Sequence, residues 1–294
     1  MWTAARFCIE PHERRQVNGE SYQAKTVDAG GFRTAYLEAG DPGNPTAVLV
    51  HDGAFGTTAE LCWAPMIERL SGKFHVLAPD LLGWGGTDKV VYLDRSPYAA
   101  RVPHVAAWCA TVGVTDAAFV GASFGGSLVL RALVDPSSAW PIARAVSVSG
   151  TGGPYRLPAG IEALGSYEPS MAEAGRLTGL LVTSLDGLAD HVETRYRNSL
   201  VPGHWEAMKA PALKNPAVER ALPADPFFDQ LAQVTAPVLL VEGRNDQLLE
   251  KQWAKKLAEV APTAQVVETD YGHEPNIEAP DALVDLILPF LRGA

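Results

Sequence analysis

Residues 117–126, Ala-Ala-Phe-Val-Gly-Ala-Ser-Phe-Gly-Gly, constrain this chain more than any other stretch. A short apolar run from Ala117 to Val120 meets Gly121-Ala122-Ser123-Phe124-Gly125, and a helix-like stretch follows from Gly126 to Val134. The pattern predicts a strand, a tight turn and a helix, with Ser123 at the apex. Such a turn holds its apical residue in a strained backbone conformation and lifts the side chain above the edge of a sheet. The glycines are needed because a Cβ at either flank would crowd the neighbouring strand and helix. A serine held in this way is a nucleophile if a base and an orienting acid reach it, and an idle turn residue if they do not.

The surrounding chain supplies the sheet. Ser21–Asp28 and Phe32–Glu38 alternate around Ala29-Gly30-Gly31, a β-hairpin signal. Thr46–Val50 is a short apolar strand without alternation, as a strand buried on both faces should be. Helices are expected over Ala59–Leu70 and Tyr98–Val112, with a strand at His75–Ala78 and a Gly-rich loop over Leu81–Ser96. Ile142–Ser149 is a further strand. From 151 to about 233 the pattern is helical, punctuated by prolines that include Pro158, Pro169, Pro202, Pro216 and Pro223. Pro237–Val241, Gln252–Val260, Gln265–Glu268 and Asp281–Leu291 then resume as strand, helix, strand and helix, with Pro280 in the first turn of the last helix and Pro289 kinking its end. This alternation predicts an α/β protein with an eight-stranded, mostly parallel sheet and helices on both faces. Residues 1–150 and 234–294 form the core, and 151–233 form a helical lid inserted after strand six. Residues 1–20 read as an irregular arm.

Composition narrows the partners. The net charge of −10 over 294 residues argues against nucleic acid or an anionic membrane surface. Residues 1–20 carry no apolar secretory core, and no apolar run reaches the ~20 residues of a membrane-spanning helix. Cys8, Cys62 and Cys109 are odd in number and widely spaced, which suits reduced core thiols and a cytoplasmic protein. No metal-ligand spacing is present, and no metal or cofactor is implied. A small-molecule carbonyl compound is the expected partner, and a homodimer is compatible with the sequence.

The base and acid are sought beyond strand ends, where open parallel sheets place their chemistry. His273 follows a predicted strand within Asp270-Tyr-Gly-His-Glu-Pro275. His12 lies in the arm, His75 starts a strand at the opposite edge, His104 lies within a helix, and His191 and His204 belong to the lid; these read as surface or packing histidines. His51 stands at the correct edge, where its expected work is to brace a loop. Asp246 follows a strand in Gly243-Arg-Asn-Asp246, 27 residues before His273 (273 − 246). Its rivals are Glu242, Asp270 and Glu274; the first two adjoin strand ends, where a structural salt bridge is the expected role.

The order Ser123, Asp246, His273 resembles the α/β-hydrolases from about residue 22 to 291. The resemblance rests on His51-Asp-Gly53, Asp80-Leu-Leu-Gly83-Trp-Gly85-Gly-Thr-Asp88, the Ser123 turn, Gly243-x-x-Asp246, and Gly272-His273-x-Pro275-x-x-Glu278-x-Pro280. It implies a catalytic triad and an oxyanion hole formed by the backbone N–H groups of Phe124 and Gly53, with Ala54 as the alternative to Gly53. Most relatives have Gly directly after the histidine, where this chain has Asp52.

The lid and loops are rich in aromatic residues, so Phe55, Trp84, Tyr196 and Trp205 are candidates to line a partly apolar pocket. Within the family, the stretch Asp190–Ala207 looks like that of the meta-cleavage-product hydrolases. Those enzymes cleave carbon–carbon bonds of vinylogous diketo acids and hold the substrate carboxylate with a lid arginine. The resemblance carries that role to Arg195, with Arg197 second; the alternative is a solvated Arg paired to Glu193 or Glu206. Two positions depart from those enzymes: Ala122 stands where they commonly have Asn, and Glu274, a substrate-facing position, where they commonly have Trp. The readings left open are carbon–carbon hydrolysis, ester or lactone hydrolysis, lyase chemistry of the hydroxynitrile type, and a small-molecule receptor on the same scaffold.

Overall fold

The Gly30-Gly31 pair, at φ 58° and 86°, turns the first strand, β1 (Tyr22–Ala29), back against β2 (Phe32–Ala39). Positive φ at both central residues matches the twist of a hairpin and is open to glycine at little cost. From this edge a computed structural model describing residues 22–213 and 224–293 builds one eight-stranded sheet. Its other strands are β3 (Thr46–Val50), β4 (His75–Pro79), β5 (Ala117–Ala122), β6 (Ile142–Val148), β7 (Val238–Gly243) and β8 (Ala264–Thr269). The order across the sheet is β1-β2-β4-β3-β5-β6-β7-β8. β2 runs antiparallel to both β1 and β4, and every pair from β4 to β8 is parallel. The expected arm and Cys8 lie outside the described residues.

Both faces are covered. On one, α1 (Ala59–Ser71) and α11 (Pro280–Arg292) bury Trp63, Met66, Leu283 and Ile287 against β3 and β7. On the other, α2 (Pro97–Val112) and α3 (Phe124–Val134) bury Val105, Trp108, Leu128 and Leu130. All six residues of β5 are buried, which explains its unbroken apolar run. Ser96 caps α2 by accepting from Ala99 N–H, and Pro97 occupies the first helical position, where a missing N–H costs nothing. α11 continues through Pro289 to Arg292.

The chain goes from β3 to β4 on one side and then crosses to β5 on the other, so the strand order reverses between β3 and β5. A crevice opens at such a reversal beyond the carboxyl ends of the strands. Between β6 and β7 stand α4 (Pro158–Gly165), α5 (Met171–Leu181), α6 (Ala189–Ser199), α7 (His204–Lys209) and α8 (Phe227–Leu231). Tyr167, Leu177 and Leu181 from this segment pack with Ala54 and Phe55 after β3 and Leu248 after β7, so it lies across that edge of the sheet. α8 has already rejoined the main core through Phe227 and Leu231. Pro216 and Pro223 are outside the described residues. No helix among the described residues is long and apolar enough to cross a membrane.

Candidate active site

Ser123 lies between β5 and α3 at φ 52°, ψ −112°. Its N–H donates to Val148 O on β6 at 2.7 Å and its carbonyl accepts from Ser127 N–H at 2.9 Å, so the strained residue is held from both sides. Each neighbouring glycine answers a close approach. A Cβ on Gly121 would stand 2.4 Å from the Gly125 carbonyl, one on Gly125 2.1 Å from Val50 O, and one on Gly126 2.4 Å from Ser147 Oγ.

His273 follows β8. Its Nε2 is 2.7 Å from Ser123 Oγ, and its Nδ1 is 2.7 Å from Asp246 Oδ2 beyond β7. The other Asp246 oxygen accepts from the N–H groups of Leu248 and Leu249 at 2.7 and 3.3 Å. Burial alone would raise the Asp246 pKa, but the His273 imidazole and the two amides outweigh it, and the carboxyl lies below its ordinary value. The two loops are joined by Asn245 N–H to Tyr271 O at 3.0 Å and Arg244 N–H to Thr269 O at 2.8 Å. A Cβ on Gly243 would meet Gly272 O at 2.1 Å, so glycine there lets the acid loop reach the histidine loop. Glu278 anchors the latter from below: one oxygen takes Gly272 N–H, the other Thr183 N–H and Oγ1–H at 2.8 and 2.6 Å.

The rival acids do other work. Asp270 makes the expected salt bridge, to Arg244 at 2.7 Å. Glu242 instead takes Gln252 and Ala254 N–H at 2.6 and 3.1 Å, capping α9 (Trp253–Ala258). Free N–H groups at a helix start attract a carboxylate, as a cation does.

The loop after β3 brings Gly53 against the elbow, where a Cβ would meet Phe124 Cβ at 2.7 Å. Among the described residues no group accepts from the Gly53 or Phe124 amide. Ala54 differs: its N–H is committed to Asp52 Oδ1 at 2.7 Å, while Asp52 Oδ2 accepts from Thr57 Oγ1–H at 2.6 Å. The unusual Asp52 thus stabilises the loop and takes the alternative donor away from the site. His51 braces the same loop, accepting Leu81 N–H at Nε2 (2.9 Å) and donating from Nδ1 to Asp52 O (2.6 Å). Trp84 is buried; its Nε1–H donates to Ala54 O at 3.0 Å and its ring stacks on Phe124.

His204, read from the sequence as a packing residue, ties α7 to two loops: Nε2 accepts Gly56 N–H at 2.9 Å, and Nδ1 donates to Gly83 O at 2.8 Å. Burial pulls its pKa down to about 4, so the ring stays neutral and fits both partners. His104 pairs with Thr34 and His75 with Glu38, both away from the site; His12 is outside the described residues.

Arg195 is fully buried. Its Nη1 donates to Phe55 O at 3.1 Å and its Nη2 to His191 Nε2 at 3.2 Å. Burial, with Arg195 next, pulls His191 down to about 3, leaving the neutral ring as acceptor. The exposed arginine paired to Glu193 is Arg197. Phe55 stacks on Tyr167 with ring centroids 4.8 Å apart. Tyr196 and Trp205 are half-buried against this cluster, and Lys209 Nζ lies 5.2 Å from the Trp205 ring centre. Glu274 is fully buried beside His273. Burial, with Asp52 second, pushes its carboxyl well above the usual range, against the pull of Arg195. Cys62 and Asn276 complete the surroundings: Asn276 Nδ2–H donates to Cys62 O, Cys62 Sγ and Glu274 Oε2 at 3.2, 3.3 and 3.3 Å. Cys62 and Cys109 are free and buried, as read for core thiols, but Cys62 also borders this cluster.

Residues 47–286 match the alpha/beta hydrolase family. The 2-hydroxymuconate semialdehyde hydrolase of Pseudomonas sp. (strain CF600) is 28% identical over 277 residues, covering 92% of this chain and 94% of that protein. The 2-hydroxy-6-oxo-2,4-heptadienoate hydrolase of Pseudomonas putida is 29% identical over 274 residues, covering 92% and 96%. A meta-cleavage product hydrolase from Pseudomonas fluorescens IP01 is alike in fold, with TM-score 0.79 and 24% identity over 92% of this chain and 97% of that one.

Proposed function

Because the chain belongs to the alpha/beta hydrolase family, we propose that it is a serine hydrolase acting on a carbon–carbon or ester bond next to a carbonyl in a small, partly apolar substrate. One observation carries this: an unbroken line of two 2.7 Å hydrogen bonds from Asp246 through His273 to a serine held at φ 52°.

Asp246 accepts from Nδ1–H and so leaves Nε2 as the lone-pair nitrogen facing Ser123. Ser123 Oγ attacks the carbonyl carbon as its proton passes to His273 Nε2. Negative charge develops on the carbonyl oxygen, to which we assign the amides of Gly53 and Phe124 as donors; one such donor is worth about 2.7–4 kcal/mol. The bond on the far side of the carbonyl breaks, and the departing carbon or oxygen takes the proton from His273. Water, deprotonated by the same imidazole, then releases the acid from Ser123. Water is the single co-reactant in this balance.

Wild type and Ser123→Ala are to be compared on p-nitrophenyl esters of graded chain length and on a ring-fission dienoate. Turnover of the preferred class should fall at least about a thousandfold in Ser123→Ala, whereas near-wild-type turnover would refute the nucleophile. The substrate class turned over by wild type decides between ester and carbon–carbon cleavage.

A further inference from the structure

Beside the triad lies a nest of buried polar groups that the steps above leave unused. Asp52, Cys62 and Glu274 each place one side-chain oxygen or sulfur within 4.8 Å of the others. Arg195 and Asn276 border them, and no member of the set exposes more than 1% of its surface. Three of its polar atoms have no hydrogen-bond partner among the described residues: Arg195 Nε, Glu274 Oε1 and Asn276 Oδ1. An orphaned buried polar atom costs about 1–3 kcal/mol, so three together mark a place for a polar ligand group.

The chemistry of that group follows from which atoms are free. Asn276 Nδ2 points its hydrogens at Cys62 and Glu274, so the free Oδ1 can only accept. Arg195 Nε can only donate. Burial and Asp52 push Glu274 towards its protonated form, and Oε2 already accepts, so Oε1 is the oxygen from which a proton would donate. The ligand group must therefore donate once and accept at least once. Charge points the same way. Both oxygens of Asp52 accept hydrogen bonds, and Asp52 and Arg195 act on the Glu274 carboxyl with opposite signs. A carboxylate arriving here would add negative charge beside Asp52 in a buried site and would leave Asn276 Oδ1 unpaired. A cation would instead meet Arg195.

We infer that the nest of Asp52, Cys62, Arg195, Glu274 and Asn276 is a specificity subsite for a neutral substrate group that both donates and accepts hydrogen bonds, a primary carboxamide or a hydroxyl, and that it disfavours a free carboxylate. The inference rests on the reading of Ser123 as the site of the reacting carbonyl, because the subsite lies next to the triad through Glu274. It sets this chain apart from a carboxylate clamp on Arg195.

The test needs no turnover. Wild-type protein is titrated calorimetrically with three linear methyl ketones of equal length, ending in a primary carboxamide, a carboxylate or a methyl group. The carboxamide should bind at least about tenfold more tightly than either of the others, the worth of one well-made buried hydrogen bond. In Asn276→Leu, which lacks the accepting oxygen, the preference of carboxamide over carboxylate should disappear. Carboxylate binding equal to or tighter than carboxamide binding in wild type would overturn the inference. Equal binding of all three would also overturn it, since the nest would then hold water alone. Wild-type ligands decide the matter even if the variant does not fold. Failure of the nucleophile reading would show separately, as retained turnover in Ser123→Ala.

Discussion

Replacing Asp246 by asparagine separates the orienting role of this residue from its structural one. The asparagine carbonyl can occupy the place of Oδ1 and keep the amides of Leu248 and Leu249, at 2.7 and 3.3 Å. Its NH2 then stands where Oδ2 was, 2.7 Å from His273 Nδ1. A donor at that point pairs with an unprotonated Nδ1, which moves the ring proton to Nε2, 2.7 Å from Ser123 Oγ. A protonated Nε2 cannot take the serine proton. Nearly all molecules are then in the wrong tautomer, and kcat should fall about ten-thousandfold, or about 5.4 kcal/mol in activation free energy. Asp246→Ala strips both amides of their acceptor as well, at about 1–3 kcal/mol for each unpaired group, so it should be clearly more destabilised than Asp246→Asn. Stopped-flow release of p-nitrophenol, run beside urea denaturation, reads both quantities. If Asp246→Asn kept activity within tenfold of wild type while Ser123→Ala was inactive, the tautomer argument would be wrong.

Asp246 also predicts a pH dependence. Its folded pKa lies below the ordinary 3.8, so its contribution to stability is complete above that value and is lost as pH falls through the lower folded pKa. The Tm difference between wild type and Asp246→Asn should therefore be constant near neutral pH and shift against wild type below about pH 4; a pH-independent difference would contradict it. Gly243→Ala places a Cβ 2.1 Å from Gly272 O and 2.7 Å from Tyr271 O, both backbone atoms that cannot rotate away. It should cost about 1–3 kcal/mol in urea denaturation and lower kcat at least tenfold by parting the acid and histidine loops; unchanged values in both would remove the packing role of this glycine.

Much of this site could be read before any coordinates, because each element of it sits at a strand end and carries its own local signal. Ser123 and Asp246 each follow a strand buried throughout, His273 follows the half-exposed edge strand β8, and the glycines around them mark places where backbones touch. Gly243 against Gly272 is one such place, and Gly125 against Val50 is another. The commitment of the Ala54 amide has a local signal too: an Asp two residues before an N–H is the pattern of an Asx turn. Glu242 caps α9 where a salt bridge is expected, because a cation and a helix start both attract a carboxylate and sequence alone does not say which lies nearer. Resemblance singles out Arg195 and Glu274, but the polar nest as a group has no local signature. Asp52 comes from the loop after β3, Cys62 from the first turn of α1, Arg195 from α6 and Asn276 from the short α10 (Pro275–Glu278). Only the fold brings them together, and Arg195, on a helix of mostly polar residues, gave no sign that it would be fully buried.

The positive φ at Ser123 also limits which nucleophile this scaffold can carry. At φ 52° with ψ −112° the backbone leaves room for a side chain that is unbranched at Cβ. Cysteine or aspartate could be installed at that apex at little added backbone cost. Threonine could not, since its extra methyl would be forced against backbone already drawn tight by Gly121 and Gly125. The range of reactions open to laboratory evolution of this chain is thus filtered first by one torsion angle, and only afterwards by the pocket.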